Sequence, residues 1–368
     1  MKRKVLFRVV PGVLVAFTAL FYAGCTTEES DSAGGAVYIV DSNQGRIYTF
    51  DPATGVASST PLLTIGQNAS GAIYFYNDIG YVCVASYNNT APGVYTFDPN
   101  AAVPTATRIG DAISAGYMAF YSDTKAYVTA RSWGVSTGVY TFDPSDPDSG
   151  LTGPLEGTTK AGKAGRYLEG IVVGPDEMIY AADYDEMGSN GQVLRIDPST
   201  DTVTAIFDMT ASGTTDLLAG TDAAGNGVVY AANGGGYDYT TWMPLPGSID
   251  MIDCSTGTVS TAVSGTSVTQ LDSGSGTVFA VGSGNTCFFS PAGTAPYTAT
   301  EVLDRDDLPF GGSDVLVSGD YVYIPNADWM TGENKLYVLY TDTAEQKSLS
   351  PLSIMVDGED SAAAVAAY

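Results

Sequence analysis

Ile47-Tyr48-Thr49-Phe50-Asp51-Pro52, Val94-Tyr95-Thr96-Phe97-Asp98-Pro99 and Val139-Tyr140-Thr141-Phe142-Asp143-Pro144 are three copies of one phrase. Weaker copies follow at Val193-Leu194-Arg195-Ile196-Asp197-Pro198, Ile249-Asp250-Met251-Ile252-Asp253, Cys287-Phe288-Phe289-Ser290-Pro291 and Leu336-Tyr337-Val338-Leu339-Tyr340. The aromatic and β-branched residues suit a strand. Asp accepts nearby backbone N–H groups, Pro presets φ, and a following Gly, as in Asp51-Pro52-Ala53-Thr54-Gly55, supplies positive φ. Each phrase therefore reads as a strand running into a hairpin turn, and its Asp as a turn residue rather than a catalytic acid.

A second strand precedes each phrase: Val37-Tyr38-Ile39-Val40, Tyr81-Val82-Cys83-Val84, Ala126-Tyr127-Val128-Thr129, Ile179-Tyr180-Ala181-Ala182, Val229-Tyr230-Ala231-Ala232, Val278-Phe279-Ala280-Val281 and Val322-Tyr323-Ile324. Before most of these lies a strand of small apolar residues, such as Gly170-Ile171-Val172-Val173. With the strands lettered A to D, the repeat has the length of one four-stranded blade. Seven repeats predict an all-β, seven-bladed β-propeller over residues 36–368. The first repeat lacks a strand A, and the Ala-rich C-terminus, 361–368, lacks a partner. Placed in the first blade, that segment closes the ring and removes its open sheet edge.

The strand B and Phe-Asp-Pro phrases, with Ala126-Tyr127-Val128-Thr129 as the nearest copy, resemble the YVTN-type β-propellers of bacterial surface and periplasmic proteins. The resemblance covers about residues 36–368. It implies the fold; propellers of this type serve in scaffolding, ligand binding and catalysis alike.

The first 24 residues read as a signal peptide. Lys2, Arg3, Lys4 and Arg8 precede an apolar stretch from Val9 to Tyr22, too short to span a bilayer. Tyr22-Ala23-Gly24-Cys25 resembles a bacterial lipobox, with Tyr22 where Leu is usual, which implies lipidation of Cys25. Residues 25–35 are then a flexible tether to the envelope membrane. Cys83, Cys254 and Cys287 show no metal spacing and read as buried thiols.

The net charge of −26 repels phosphate backbones and excludes nucleic acid as a partner. The chain contains no histidine, so Ser-His and Cys-His nucleophile pairs and His-ligated metals are excluded. The B–C and D–A loops of a propeller share one face. Short B–C loops (Asp41 to Gly45, Gly282 to Asn285) contrast with long ones (Tyr87 to Gly93, Arg131 to Gly138, Asp183 to Gly191, Asn233 to Gly247, Asn326 to Asn334), and length beyond a hairpin's need is where function resides. Trp133, Tyr184, Tyr237, Tyr239, Trp242 and Trp329 fall in these long loops. They are candidates for recognising a protein, peptide or glycan, or alternatively for plugging their own loops. Glu169, Asp216, Asp314 and Asp360 stand at the starts of A strands and are candidates to ring the channel mouth. Carboxylates without His suit Ca²⁺; equally, they suit backbone N–H capping. Two functions follow: a lipid-anchored binding or scaffold propeller with no cofactor, and a Ca²⁺-dependent propeller hydrolase or lactonase.

Overall fold

The computed structural model describes residues 36–69, 72–86, 89–131, 137–159, 167–184, 191–238, 241, 243–282, 285–304, 308, 311–328, 331–347, 350–354 and 362–368. Its sheets form seven blades in chain order around a channel. Blade 1 combines Ala362–Ala367 as strand A with Val37–Asp41 and Arg46–Asp51 as strands B and C. The register Val37↔Ala367, Ile39↔Val365 and Asp41↔Ala362 pairs the C-terminus with the start of the fold. The ring closes as the repeat count requires.

Strand B is the densest part of each blade. In blade 1, Tyr38 and Val40 pack toward blade 2, while Val37 and Ile39 pack toward blade 7. This alternation is the period of two of a strand buried on both faces. The described core divides into seven clusters, each shared by two neighbouring blades, including blades 7 and 1. Tyr81, Tyr127, Tyr180, Tyr230 and Tyr323, in five of the seven B strands, are almost fully buried. Burying such a ring contributes about 2 to 3 kcal/mol, so this one position is a large part of blade-to-blade adhesion. Two of the hydroxyls reach carboxylates: Tyr127 donates to Asp201 at 2.8 Å and Tyr180 to Asp176 at 3.1 Å.

The Asp-Pro phrases form the expected turns. Asp51 accepts the N–H of Ala53 at 2.9 Å, and Gly55, at φ +69°, donates to the Asp51 carbonyl at 2.8 Å. Asp143, Asp197 and Asp253 likewise accept the N–H two residues on, each at 2.8 Å.

Two regions depart from the repeat. In blade 3 the place of strand D is taken by a single bridge, Thr141↔Thr152. Leu155 N–H to Val139 O (2.8 Å) and Val139 N–H to Thr158 Oγ1 (3.0 Å) satisfy the rest of that edge. In blade 7 most of Asn326 to Asn334, read from sequence as a long loop, is ladder. Tyr321–Asp328 pairs with Glu333–Tyr340 out to Asp328↔Glu333. Pro325 does not break the strand, because proline costs only one donor.

Candidate functional site

The A strands line the channel, and their inner edges have no neighbouring strand. A buried N–H there requires another acceptor. Side chains of the preceding blade supply it. Asp216 of blade 5 accepts Leu271 N–H of blade 6 at 2.8 Å. Asp272 of blade 6 accepts Val317 N–H of blade 7 at 2.6 Å. Asp314 of blade 7 accepts Val365 N–H of blade 1 at 3.0 Å. Tyr74 of blade 2 holds Met118 N–H of blade 3 through its hydroxyl oxygen at 3.2 Å. Asp314 also caps its own neighbour, Val315, at 2.9 Å. Gly170 of blade 4 allows this close approach: a Cβ there would lie 2.7 Å from Asp216 Cα.

Removal from bulk water outweighs these hydrogen bonds in the protonation balance. Burial pushes Asp216 up to about 7 and Asp272 up to about 6, with the N–H bonds acting the other way. Burial also raises Asp314 well above the ordinary carboxylate value, and the nearby Asp216 and Asp272 add to it. Glu169 is neutralised differently. It forms an ion pair with Arg131 of blade 3, whose guanidinium lies 5.8 Å from the Tyr117 ring centre. Gln270 of blade 6 donates to the Tyr117 hydroxyl at 2.8 Å, a bar across the channel from blade 6 to blade 3.

A cavity of about 210 Å³ lies in the channel, lined by Tyr74, Phe75, Tyr117, Phe120, Asp216 and Asp314 among others. A larger groove of about 400 Å³ runs past Pro61, Leu63 and Pro104 on the outer strands of blades 1 and 2, and carries no titratable side chain. The chemistry is in the channel.

The structure brings Glu169, Asp216 and Asp314 to the channel, one on an arginine and two on backbone N–H groups. Among the described residues no group of three or more His, Cys, Asp or Glu side chains could hold a metal ion. Tyr184, half-buried, roots the B–C loop of blade 4 through its N–H to Tyr167 O at 2.8 Å. Tyr237 lies on a small hairpin within the blade 5 loop, Gly236–Asp238 paired with Met243–Leu245. Cys25, Trp133, Tyr239, Trp242, Trp329 and Asp360 lie outside the described residues. Cys83, Cys254 and Cys287 are free and buried. Asp272 was not among the sequence candidates: it lies two positions further along strand A than Asp216 does, at Asp272↔Phe279 against Asp216↔Ala232. Nor were Arg131, Tyr117 and Gln270, whose pairings span 38 and 153 residues and carry no local signal.

No family model matches the chain, and no curated protein does. Solved structures do. The periplasmic gluconolactonase PpgL of Pseudomonas aeruginosa superposes with a TM-score of 0.62 at 14% identity, covering 89% of this chain and 98% of that one. A candidate 6-phosphogluconolactonase of Bacteroides fragilis gives 0.59 at 11%, covering 92% and 98%. AztD of Citrobacter koseri gives 0.55 at 12%, covering 91% and 98%. These likenesses establish the propeller fold. At such identities they transfer no chemistry.

Proposed function

We propose that the protein is a YVTN-type binding propeller of the bacterial envelope, held through lipid on Cys25 and the 25–35 tether. It presents the B–C loop face to an extracytoplasmic protein, peptide or glycan. The observation that carries this reading is the blade 5 loop, where residues 234–247 between strands B and C include a two-stranded sheet of their own. Its base is fixed to the strand A entrance: Gly234 donates to Gly213 O at 2.8 Å and Gly235 to Ser212 O at 3.0 Å. An ordered extension rooted at the channel rim is the expected form of a recognition loop. The periplasmic source of a similar structure agrees with the location.

Replacing Trp133, Trp242 and Trp329 together by Ala should abolish capture of an envelope ligand while the thermal midpoint stays within a few degrees. Capture that survives the triple replacement would remove the recognition face from the account. Globomycin-sensitive processing and palmitate labelling lost in Cys25→Ser test the anchor.

A second reading is a Ca²⁺-dependent lactonase with channel carboxylates as metal ligands. Two similar structures bear lactonase names, and Asp216 and Asp272 have protonation midpoints near neutrality. Hydrolysis of sugar lactones that is lost with EDTA and restored by Ca²⁺ supports it. An unchanged melting curve with Ca²⁺ and EDTA, and no hydrolysis, rejects it.

A further inference from the structure

Among the described residues, the carboxyl groups of Glu169, Asp216, Asp272 and Asp314 and the guanidinium of Arg131 face the channel. Arg131 is spent on Glu169. Among the described residues, Asp216, Asp272 and Asp314 receive only backbone N–H groups, and no lysine or arginine pairs with any of them. N–H dipoles offset part of a buried carboxylate's desolvation but leave its net charge in place. At pH 8, above the values to which burial raises Asp216 and Asp272, the channel therefore holds an excess of negative charge beside an aromatic-walled space.

The aromatic walls are fixed before any ligand arrives. Phe75 packs on Tyr38 and Tyr368 with ring centres 4.6 and 5.0 Å apart. Phe120 stacks on Tyr76 at 4.5 Å and meets Tyr81 at 5.0 Å. The Tyr117 ring is held by Gln270 at its hydroxyl, and Tyr74 by Met118 N–H. Ring faces and carboxylates together are the two groups that attract an organic cation, the first through the ring quadrupole and the second through charge. A hard inorganic cation instead requires several oxygen ligands converging at once. A neutral ligand would leave the carboxylate charge uncompensated. The volume, about 210 Å³, is below the ~300 Å³ where pockets for drug-sized ligands begin.

We propose that the channel cavity binds a small organic ammonium ion, its charge met by Asp216 and Asp314 and its carbon body by Tyr74, Phe75, Tyr117 and Phe120. This rests on the binding-module reading and names a ligand class for it. The unused lone pairs of each carboxylate accept the ammonium N–H groups, since an ionised carboxyl has about four acceptor sites and the backbone bonds take only some of them. Asp272, one blade along, adds field without lining the cavity.

The test is a charge series of one shape on the full chain at pH 8: benzylammonium, benzyl alcohol and benzoate, measured by titration calorimetry and by thermal shift. Benzylammonium should bind at least about tenfold more tightly than benzyl alcohol, as one partly desolvated charge contact implies, and benzoate should not bind. Asp314→Asn, which keeps an oxygen for Val365 N–H, should weaken benzylammonium about tenfold and leave benzyl alcohol unchanged. The series on the unaltered protein decides the matter even if that variant fails to fold. Equal binding of alcohol and ammonium, preference for benzoate, or binding of none of the three overturns the ammonium site. If the envelope ligand is still captured by the Trp-bearing loops, only this inference falls. If capture fails as well, the binding-module reading falls with it.

Discussion

The molecule uses aspartate in two settings, and the contrast explains much of its design. At the C–D turns, Asp51, Asp143, Asp197 and Asp253 face solvent and accept N–H and hydroxyl groups from residues two or three positions on. Those bonds, led by the Thr54 hydroxyl for Asp51 and by Ser145, Ser199 and Ser255 for the others, hold each carboxyl below its ordinary value. In the channel, Asp216, Asp272 and Asp314 accept N–H groups from the next blade, and burial raises them. The turn set shapes single hairpins and costs little. The channel set joins blades at the expense of desolvated charge. One residue type thus serves local and long-range order, and water access decides the sign of its titration.

Opening the ring should disturb both sets most. Deleting 361–368 removes the partner of Val37–Asp41, the Val365 N–H held by Asp314, and the Tyr368 ring packed on Phe75. The single cooperative melting transition should be lost, as followed by calorimetry; an unchanged midpoint would contradict the closed ring. Arg131→Met comes next. It leaves Glu169, only 8% exposed, without its counter-charge, and should destabilise by about 3 kcal/mol in a denaturant titration. Gly170→Ala drives a methyl into the Asp216 backbone and should cost about 1 to 3 kcal/mol by the same measurement.

Acidity separates the two sets without mutation. A channel aspartate whose folded value is raised takes up a proton on folding, so its contribution is fully present below its unfolded value and is lost as pH rises through about 6 to 7. A turn aspartate held low contributes above its ordinary value and loses that contribution as pH falls through the depressed one. The melting midpoint should therefore rise from pH 8 to about pH 5 and fall again in stronger acid. Asp216→Asn should flatten the upper limb, and Asp51→Asn should give the smallest change of all, near the resolution of a thermal scan.

The repeat phrases made the blade count, strands B and C and ring closure legible, because a strand buried on both faces carries a strong apolar signature. Strand D was not legible: it is the outer, half-wet strand, as the alternating exposure of Thr202–Asp208 shows, and in blade 3 it shrinks to one bridge. The channel positions of Glu169, Asp216 and Asp314 followed from their place at the strand starts. Their partners did not, because Arg131 with Glu169 and Gln270 with Tyr117 are brought together only by the ring. The extension of blade 7 past Pro325 was hidden by a polar stretch, Asn326-Ala327-Asp328, that continues the ladder without an apolar signature.

Titration of ¹³C-labelled aspartate carboxyls by NMR tests the contrast most directly. Asp216 should titrate near pH 7 and Asp51 below its ordinary value of 3.8. An Asp216 resonance that titrates with or below Asp51 would contradict the contrast.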